Sequence, residues 1–235
     1  TSVHGWGTSP GFPNDMPRFD RLVNADCYDC HSASIAMQVN TSINEQVQKL
    51  DPGSLVYGID CERCHGPARN HVNYHTAYPD ERTAKYIARY ASMQNQQKLD
   101  ACAVCHSGND KNKIESRFLF KMGDTLDHFF MRNTGRQDGF DVHGNQYGLM
   151  ASSKCFIGSK AMTCGTCHDP HKDASQSLPL YSQKCMSCHN EQSHNTCPKL
   201  ISMGETIKNN CIDCHMPKMS SRAISFQLRG SDTAS

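Results

Sequence analysis

The sequence has no uninterrupted apolar run approaching the roughly 18 residues of a membrane span, so none of its 235 residues reads as a transmembrane helix. The first residues, Thr1-Ser2-Val3-His4-Gly5-Trp6, have neither the basic start nor the apolar stretch of a signal peptide. They read as part of a mature chain whose export signal is missing from the sequence. Apolar residues are also scarce, at 37% with a mean hydropathy of −0.63, which leaves too little side chain for a large conventional core. Strand signals are sparse, and no composition shift or low-complexity linker marks a domain boundary. An excess of one charge is lacking too: the polypeptide carries only +1.

Cysteine, by contrast, is abundant. Twelve of the fourteen cysteines fall in six copies of Cys-x-x-Cys-His. The copies are Cys27, Cys30 and His31; Cys61, Cys64 and His65; Cys102, Cys105 and His106; Cys164, Cys167 and His168; Cys185, Cys188 and His189; and Cys211, Cys214 and His215. Two intervening residues let both sulfurs form thioethers with the vinyl groups of one haem, while the adjacent histidine supplies an imidazole nitrogen to iron. Cysteine pairs also hold zinc, exchange thiols or ligate iron–sulfur clusters. None of those uses requires a histidine after every second cysteine, so the pattern points to six covalent haems c. Their apolar faces would replace the missing side-chain core. With two propionates each, six ferric bis-imidazole haems would move the charge to about −5, and the ferrous forms to about −11, which argues against a nucleic-acid partner.

Thirteen histidines less the six in motifs leave His4, His71, His75, His128, His143, His171 and His194. Six irons in bis-histidine coordination need six of them. His71, His171 and His194 follow their motif histidines by six, three and five residues. So short a segment cannot carry a ligand around the porphyrin edge, so each is expected to ligate another motif's haem. His128 lies in Asp124-Thr125-Leu126-Asp127-His128-Phe129-Phe130, where aromatics are expected against a haem face. His4 and His143 complete the distal set, and His75 competes with His71 as its neighbour on a helix. Methionine is a lesser alternative, with Met203, Met216 and Met219 around the last motif. Cys155 and Cys197, outside every motif, are expected to form a disulfide in an exported chain.

The motif starts are separated by 34, 41, 62, 21 and 26 residues, which leaves little room for a separate substrate domain. The expected fold is mostly alpha and coil, organised around a haem array with little beta structure. It is expected to be one domain over 1–235, with an arm at 1–26, a haem-binding core at 27–219 and a tail at 220–235. Ala84, Ile87, Ala88 and Ala91 recur at helical spacing and predict a helix over Asp80–Asp100. Further helices are expected over 114–133 and, from a weaker pattern, over Ile35–Leu50 before Asp51-Pro52-Gly53. Short helical turns are expected after several motifs.

Cys61-Glu62-Arg63-Cys64-His65-Gly66-Pro67 with His71-Val72 resembles a haem segment of the cytochrome c554-like superfamily of multihaem cytochromes c. Gly144-Asn145-Gln146-Tyr147, Thr163 to His171, and His194 with Cys214-His215-Met216-Pro217 resemble further stretches of related proteins. The resemblance implies bis-histidine haems in parallel-stacked and perpendicular pairs, with electron transport as the common role. It includes enzymes as well. Ammonia-forming nitrite reductases hold their active haem through Cys-x-x-Cys-Lys, which is absent here, and hydroxylamine oxidoreductases are larger. Cys155 departs from the pattern around it.

Bis-imidazole ligation closes both faces of an iron, so the main expectation is electron transfer between redox partner proteins, in the periplasm or at the cell surface. The competing expectations are two. One is an oxidoreductase acting on a small nitrogen or sulfur compound at one open haem, with Arg132, Arg136, Lys154 or Tyr147 as nearby donors. The other is a homo-oligomer or conducting filament of stacked subunits.

Overall fold

The computed structural model describes residues 25–39, 48–108, 112–131, 140–141, 144–159, 161–173, 175–193, 195–216 and 218–219. The chain divides into two compact units, Thr1–Ile157 with Ser221–Ser235, and Gly158–Ser220. The first three motifs belong to one and the last three to the other. As expected, the described elements are short helices and turns with little strand. None of the described helices is long and apolar enough to cross a membrane.

The first unit begins with α1 (Ala25–His31), which carries the first motif and runs directly into β1 (Ser32–Ser34). Then come β2 (Met37–Val39), β3 (Gln48–Leu50) and β4 (Val56–Tyr57), with β1 antiparallel to β4 and β2 to β3. The β2–β3 ladder pairs Met37 with Leu50 and Val39 with Gln48, so the helix expected over Ile35–Leu50 does not form. Its backbone is committed elsewhere: Ala36 accepts from Asp51 N at 3.0 Å and donates to Ser54 Oγ at 2.7 Å. The turn at Asp51-Pro52-Gly53 thus follows a strand rather than ending a helix.

Two helices follow, α2 (Cys61–His65), which is the second motif itself, and α3 (Arg69–Ala77). Asp60 caps α2, its carboxylate accepting from Arg63 N at 3.0 Å. Gly66 then turns the chain at φ +78°, a conformation that favours glycine. The next α-helix after α3 is α4 (Asn95–His106), which carries the third motif and is preceded by a 3-10 turn at Tyr90–Ser92. A reciprocal capping box between Gln94 and Gln97 starts α4. Residues 81–89 are therefore not helical, contrary to the expected Asp80–Asp100 helix; their carbonyls serve histidine side chains instead.

The core of this unit gathers Ala103 and Val104 of α4 with Phe120, Leu126 and Phe130, and Phe129 and Tyr147 pack against it. Phe120 and Phe129 meet edge to face with centroids 5.4 Å apart. The buried Asp100 carboxylate accepts from Leu126 N at 3.1 Å, pinning the loop to α4. Instead of a helix over 114–133, the segment forms 3-10 turns at Arg117–Leu119 and Leu126–His128, and β5 (Asn112–Lys113) pairs with β6 (Phe130–Met131). A straight helix could not turn Phe120, Leu126 and Phe130 onto one side of α4. The unit continues with α5 (Gln146–Ala151), capped by Asn145, whose side-chain oxygen accepts from Gly148 N at 2.8 Å. Then α6 (Lys154–Gly158) reaches the boundary between the units.

In the second unit, α7 (Leu178–Met186) packs on a 3-10 turn at Glu205–Asn209 and on α9 (Ile212–His215), with α8 (Leu200–Met203) between them in sequence. Ser182, fully buried on α7, accepts from Cys211 N at 3.0 Å. That bond ties the helix leading into the fifth motif to the sixth. All seven buried hydrophobic side chains of the described residues, from Ile35 to Phe130, lie in the first unit. The described residues of the second bury polar Thr163 and Ser182 instead, so a bound apolar group would supply that unit with the core its described side chains do not.

A C185A/C188A variant, unable to hold a covalent group at the fifth motif, is expected to lose protease resistance within residues 158–220 at least tenfold faster than within 25–157. Limited proteolysis with mass mapping checks this.

Candidate haem-binding sites

The backbone explains the motif spacing. In the last three copies the histidine N–H bonds the carbonyl of the first cysteine: His168 to Cys164 at 3.0 Å, His189 to Cys185 at 2.9 Å and His215 to Cys211 at 3.0 Å. Each motif is therefore one turn of helix, with cysteines at i and i+3 on one face and the histidine at i+4 beside the first. The first three occupy the same geometry as the end of α1, all of α2 and the end of α4. The helices thus contain the motifs, where turns after them were expected.

Three motifs meet in the first unit around two arginines. Asp29, between the cysteines of the first motif, is fully buried, and Arg117 is 5% exposed beside it. Arg117 Nε lies 4.0 Å from Asp29 Oδ2, its Nη1 donates to Cys30 Sγ at 2.9 Å, and its guanidinium stacks over Phe130 at 5.3 Å. Arg63, between the cysteines of the second motif, donates through Nη2 to the carbonyls of Asp29 and Arg117, both at 3.1 Å. It also stacks over Phe118 at 5.2 Å. On the third motif, Cys105 O lies 4.0 Å from Cys30 Sγ. A hydrogen bond with the Cys30 thiol, reinforced by burial, raises the Cys105 pKa well above that of an ordinary thiol. Burial raises that of Cys64 too.

Both shifts disfavour the thiolate, the form in which cysteine binds zinc. No three His, Cys, Asp or Glu side chains cluster as a metal cage among the described residues. A covalent haem suits the donor set better. Cys61 and Cys64 are exposed on α2 amid Val56, Tyr57, Ile59 and Val72, all of them exposed apolar side chains. An apolar recess lined by Ile59, Cys64, Ala101, Val104, Cys105 and Phe120 lies between the second and third motifs.

The histidines separate by the use of their ring nitrogens. His65 Nδ1 is 2.7 Å from Ala88 O and His71 Nδ1 is 2.8 Å from Lys85 O. In both, a carbonyl fixes the ring through Nδ1, the pattern of an anchored ligand. His75 differs, because its Nε2 accepts from Lys85 N at 3.4 Å. In the second unit, His171 Nδ1 is 3.5 Å from Asp169 Oδ1, and the His171 backbone N–H donates to the same oxygen at 3.1 Å. That bond, with Lys172 beside it, lowers the Asp169 pKa. His128 is exposed on its 3-10 turn, while Phe129 and Phe130 enter the protein core rather than facing outward beside it. His4, His143 and His194 lie outside the described residues, as do Arg132 and Arg136. Met203, Met216 and Met219 are exposed.

Cys155 and Cys197 stand as free thiols, so the expected disulfide is not formed. The motif-interior Asp29 and Arg63, Arg117 beyond the third motif, and the Lys85–Ala88 carbonyls were not foreseen. Opposite charges inside two neighbouring motifs were the available signal for the first two; backbone acceptors leave none.

Comparison with known proteins agrees with this geometry. Residues 14–66 match the family described as cytochrome c554 and c-prime. The multiheme cytochrome MtrA of Shewanella baltica is 27% identical over 181 residues, covering 71% of this chain and 52% of that protein. The dissimilatory sulfite reductase MccA of Wolinella succinogenes is 24% identical over 208 residues, covering 77% of this chain and 26% of that protein. The chain thus spans about half the length of the first relative and about a quarter of the second. No solved structure gives a significant match. Helical-turn Cys-x-x-Cys-His motifs, ring-anchored histidines and these likenesses together mark the chain as similar to multihaem cytochromes c.

Proposed function

We propose that the chain carries six covalently attached haems c, mainly bis-histidine ligated, and passes electrons between redox partner proteins outside the cytoplasm. The observation that carries this reading is the six complete motifs, each shaped as a helical turn with its histidine beside the first cysteine. The paired cysteines hold the macrocycles, and His31, His65, His106, His168, His189 and His215 supply the proximal nitrogens. When bound, haem supplies a one-electron ferric/ferrous couple. The chain's part is to fix ring orientation, exclude water and set the potentials through contacts such as the imidazole anchors.

Among distal ligands, the free Nε2 of His71 supports its assignment over His75, whose Nε2 is engaged by the backbone. The carboxylate anchor supports His171. His4, His128, His143 and His194 complete the proposed set. Export is supported by the chemistry of covalent haem and by the likeness to MtrA, itself named a multiheme cytochrome.

A second reading, reduction of a small sulfur or nitrogen species at one open iron, draws on the likeness to MccA, named as a sulfite reductase. Of the side chains considered as donors for it, Tyr147 packs on the core and Lys154 is exposed.

Low-temperature EPR of the oxidised protein, with haem quantified as pyridine haemochrome, is expected to give about six haems per chain, all low-spin. A stoichiometric high-spin centre that binds sulfite or hydroxylamine would favour the enzyme. His71→Ala is expected to convert one low-spin haem to a high-spin or solvent-ligated form, whereas His75→Ala leaves the count unchanged. Equal effects of the two would remove the distinction drawn between them.

A further inference from the structure

The stretch Lys85-Tyr86-Ile87-Ala88 makes four hydrogen bonds to three histidines. Ala88 O meets His65 Nδ1 at 2.7 Å, and Ala88 N donates back to His65 O at 3.2 Å. Lys85 O meets His71 Nδ1 at 2.8 Å, and Lys85 N donates to His75 Nε2 at 3.4 Å. Between these peptides sits Tyr86 at φ +57°, the single non-glycine residue with positive φ among those described. A bulky side chain in the left-handed region is a genuine outlier, and such strain persists where the surroundings over-determine it. Tyr86 is 66% exposed, so burial of its ring does not impose the conformation; the ring only meets Tyr74 edge-on at 5.5 Å. The four bonds on either side do, because Lys85 O and Ala88 O must be presented to rings on α2 and α3 within one short strap.

We propose that Lys85–Ala88 is a shared positioning strap for His65 and His71, with the left-handed turn at Tyr86 as the element that aims both carbonyls. This rests on the reading that His65 and His71 ligate iron. Because the two belong to different haems under that reading, one backbone conformation sets the ligand orientation and basicity of two irons at once. A carbonyl on Nδ1–H makes the imidazole a stronger donor and favours ferric iron. Release of the strap therefore raises two midpoint potentials together.

The test separates ring from backbone. Tyr86→Gly and Tyr86→Asn remove the ring, but both residues accept the left-handed conformation. Tyr86→Ala and Tyr86→Ile remove the ring and resist it, the β-branched isoleucine most. Holoprotein of each variant is compared by haem content, EPR and potentiometric titration, with His71→Ala alongside. Expected is a joint upward shift of two centres in Y86I, about tenfold in the ferric-to-ferrous ratio or roughly 59 mV each. A smaller joint shift is expected in Y86A, and wild-type values in Y86G and Y86N. If Y86I fails to mature, Y86A against Y86N makes the same comparison. A shift confined to one centre, no shift, or equal shifts in all four variants overturns the strap. An H71A spectrum identical to wild type overturns the ligand reading and the strap with it, whereas loss of a low-spin signal in H71A with unshifted Y86I and Y86A overturns the strap alone.

Discussion

Everything in the first unit is arranged around a buried charge pair that a chain so poor in apolar residues could ill afford to leave unsatisfied. Asp29 has no exposed surface and Arg117 almost none. Desolvating both ions costs several kcal/mol each, roughly offset only where geometry and further hydrogen bonds are good. The motifs supply part of this: Arg117 donates to Cys30 Sγ and Arg63 to the backbone carbonyls of Asp29 and Arg117, while the Asp29 carboxylate faces Arg117 Nε at 4.0 Å. A pair of this kind contributes little net stability against an apolar equivalent. Its value is in specifying one arrangement, because Arg63 can satisfy two carbonyls from separate elements only when the second motif stands in one place against the first.

Around that polar centre the apolar contribution is small. Five buried side chains form the hydrophobic cluster, and the described part of the second unit has no buried apolar side chain. The two units thus differ in what holds them. One combines a modest protein core with an ionic knot; the other relies on capping bonds such as the Thr163–Thr166 box and the Ser182 link to Cys211. In both, a motif is a turn of helix whose position is fixed by polar contacts while its cysteines stay at least partly exposed, an arrangement suited to large apolar surfaces that arrive late and covalently.

The motifs, their chemistry and the helix-and-coil character were legible in the sequence because covalent haem attachment imposes a strict local spacing. Helix limits were not. Ala84, Ile87, Ala88 and Ala91 have helical spacing, yet Lys85 O and Ala88 O are taken by His71 and His65, and periodicity carries no trace of a carbonyl bonded to a distant imidazole. The helix expected over 114–133 gives way to 3-10 turns and a short strand, which bring Phe120, Leu126 and Phe130 into one cluster with Ala103 and Val104 of α4. The candidate histidines were visible in the sequence, but what distinguishes His71 from His75, the ring nitrogen that each engages, was not. Asp29 and Arg63 were written in plain view, in positions where the haem motif accepts almost any residue.

Those two positions change what a Cys-x-x-Cys-His repeat is. Chemically the copies are interchangeable, since any of them presents the same two sulfurs and imidazole. Asp29 and Arg63 make them addresses: exchanging the pentapeptides 27–31 and 61–65 would preserve every motif cysteine and histidine, yet put a cation where Arg117 faces an anion. A lineage that duplicates and shuffles such segments can therefore multiply its redox centres freely, but it can fix their neighbours only by writing charge into the two residues that the attachment chemistry leaves blank.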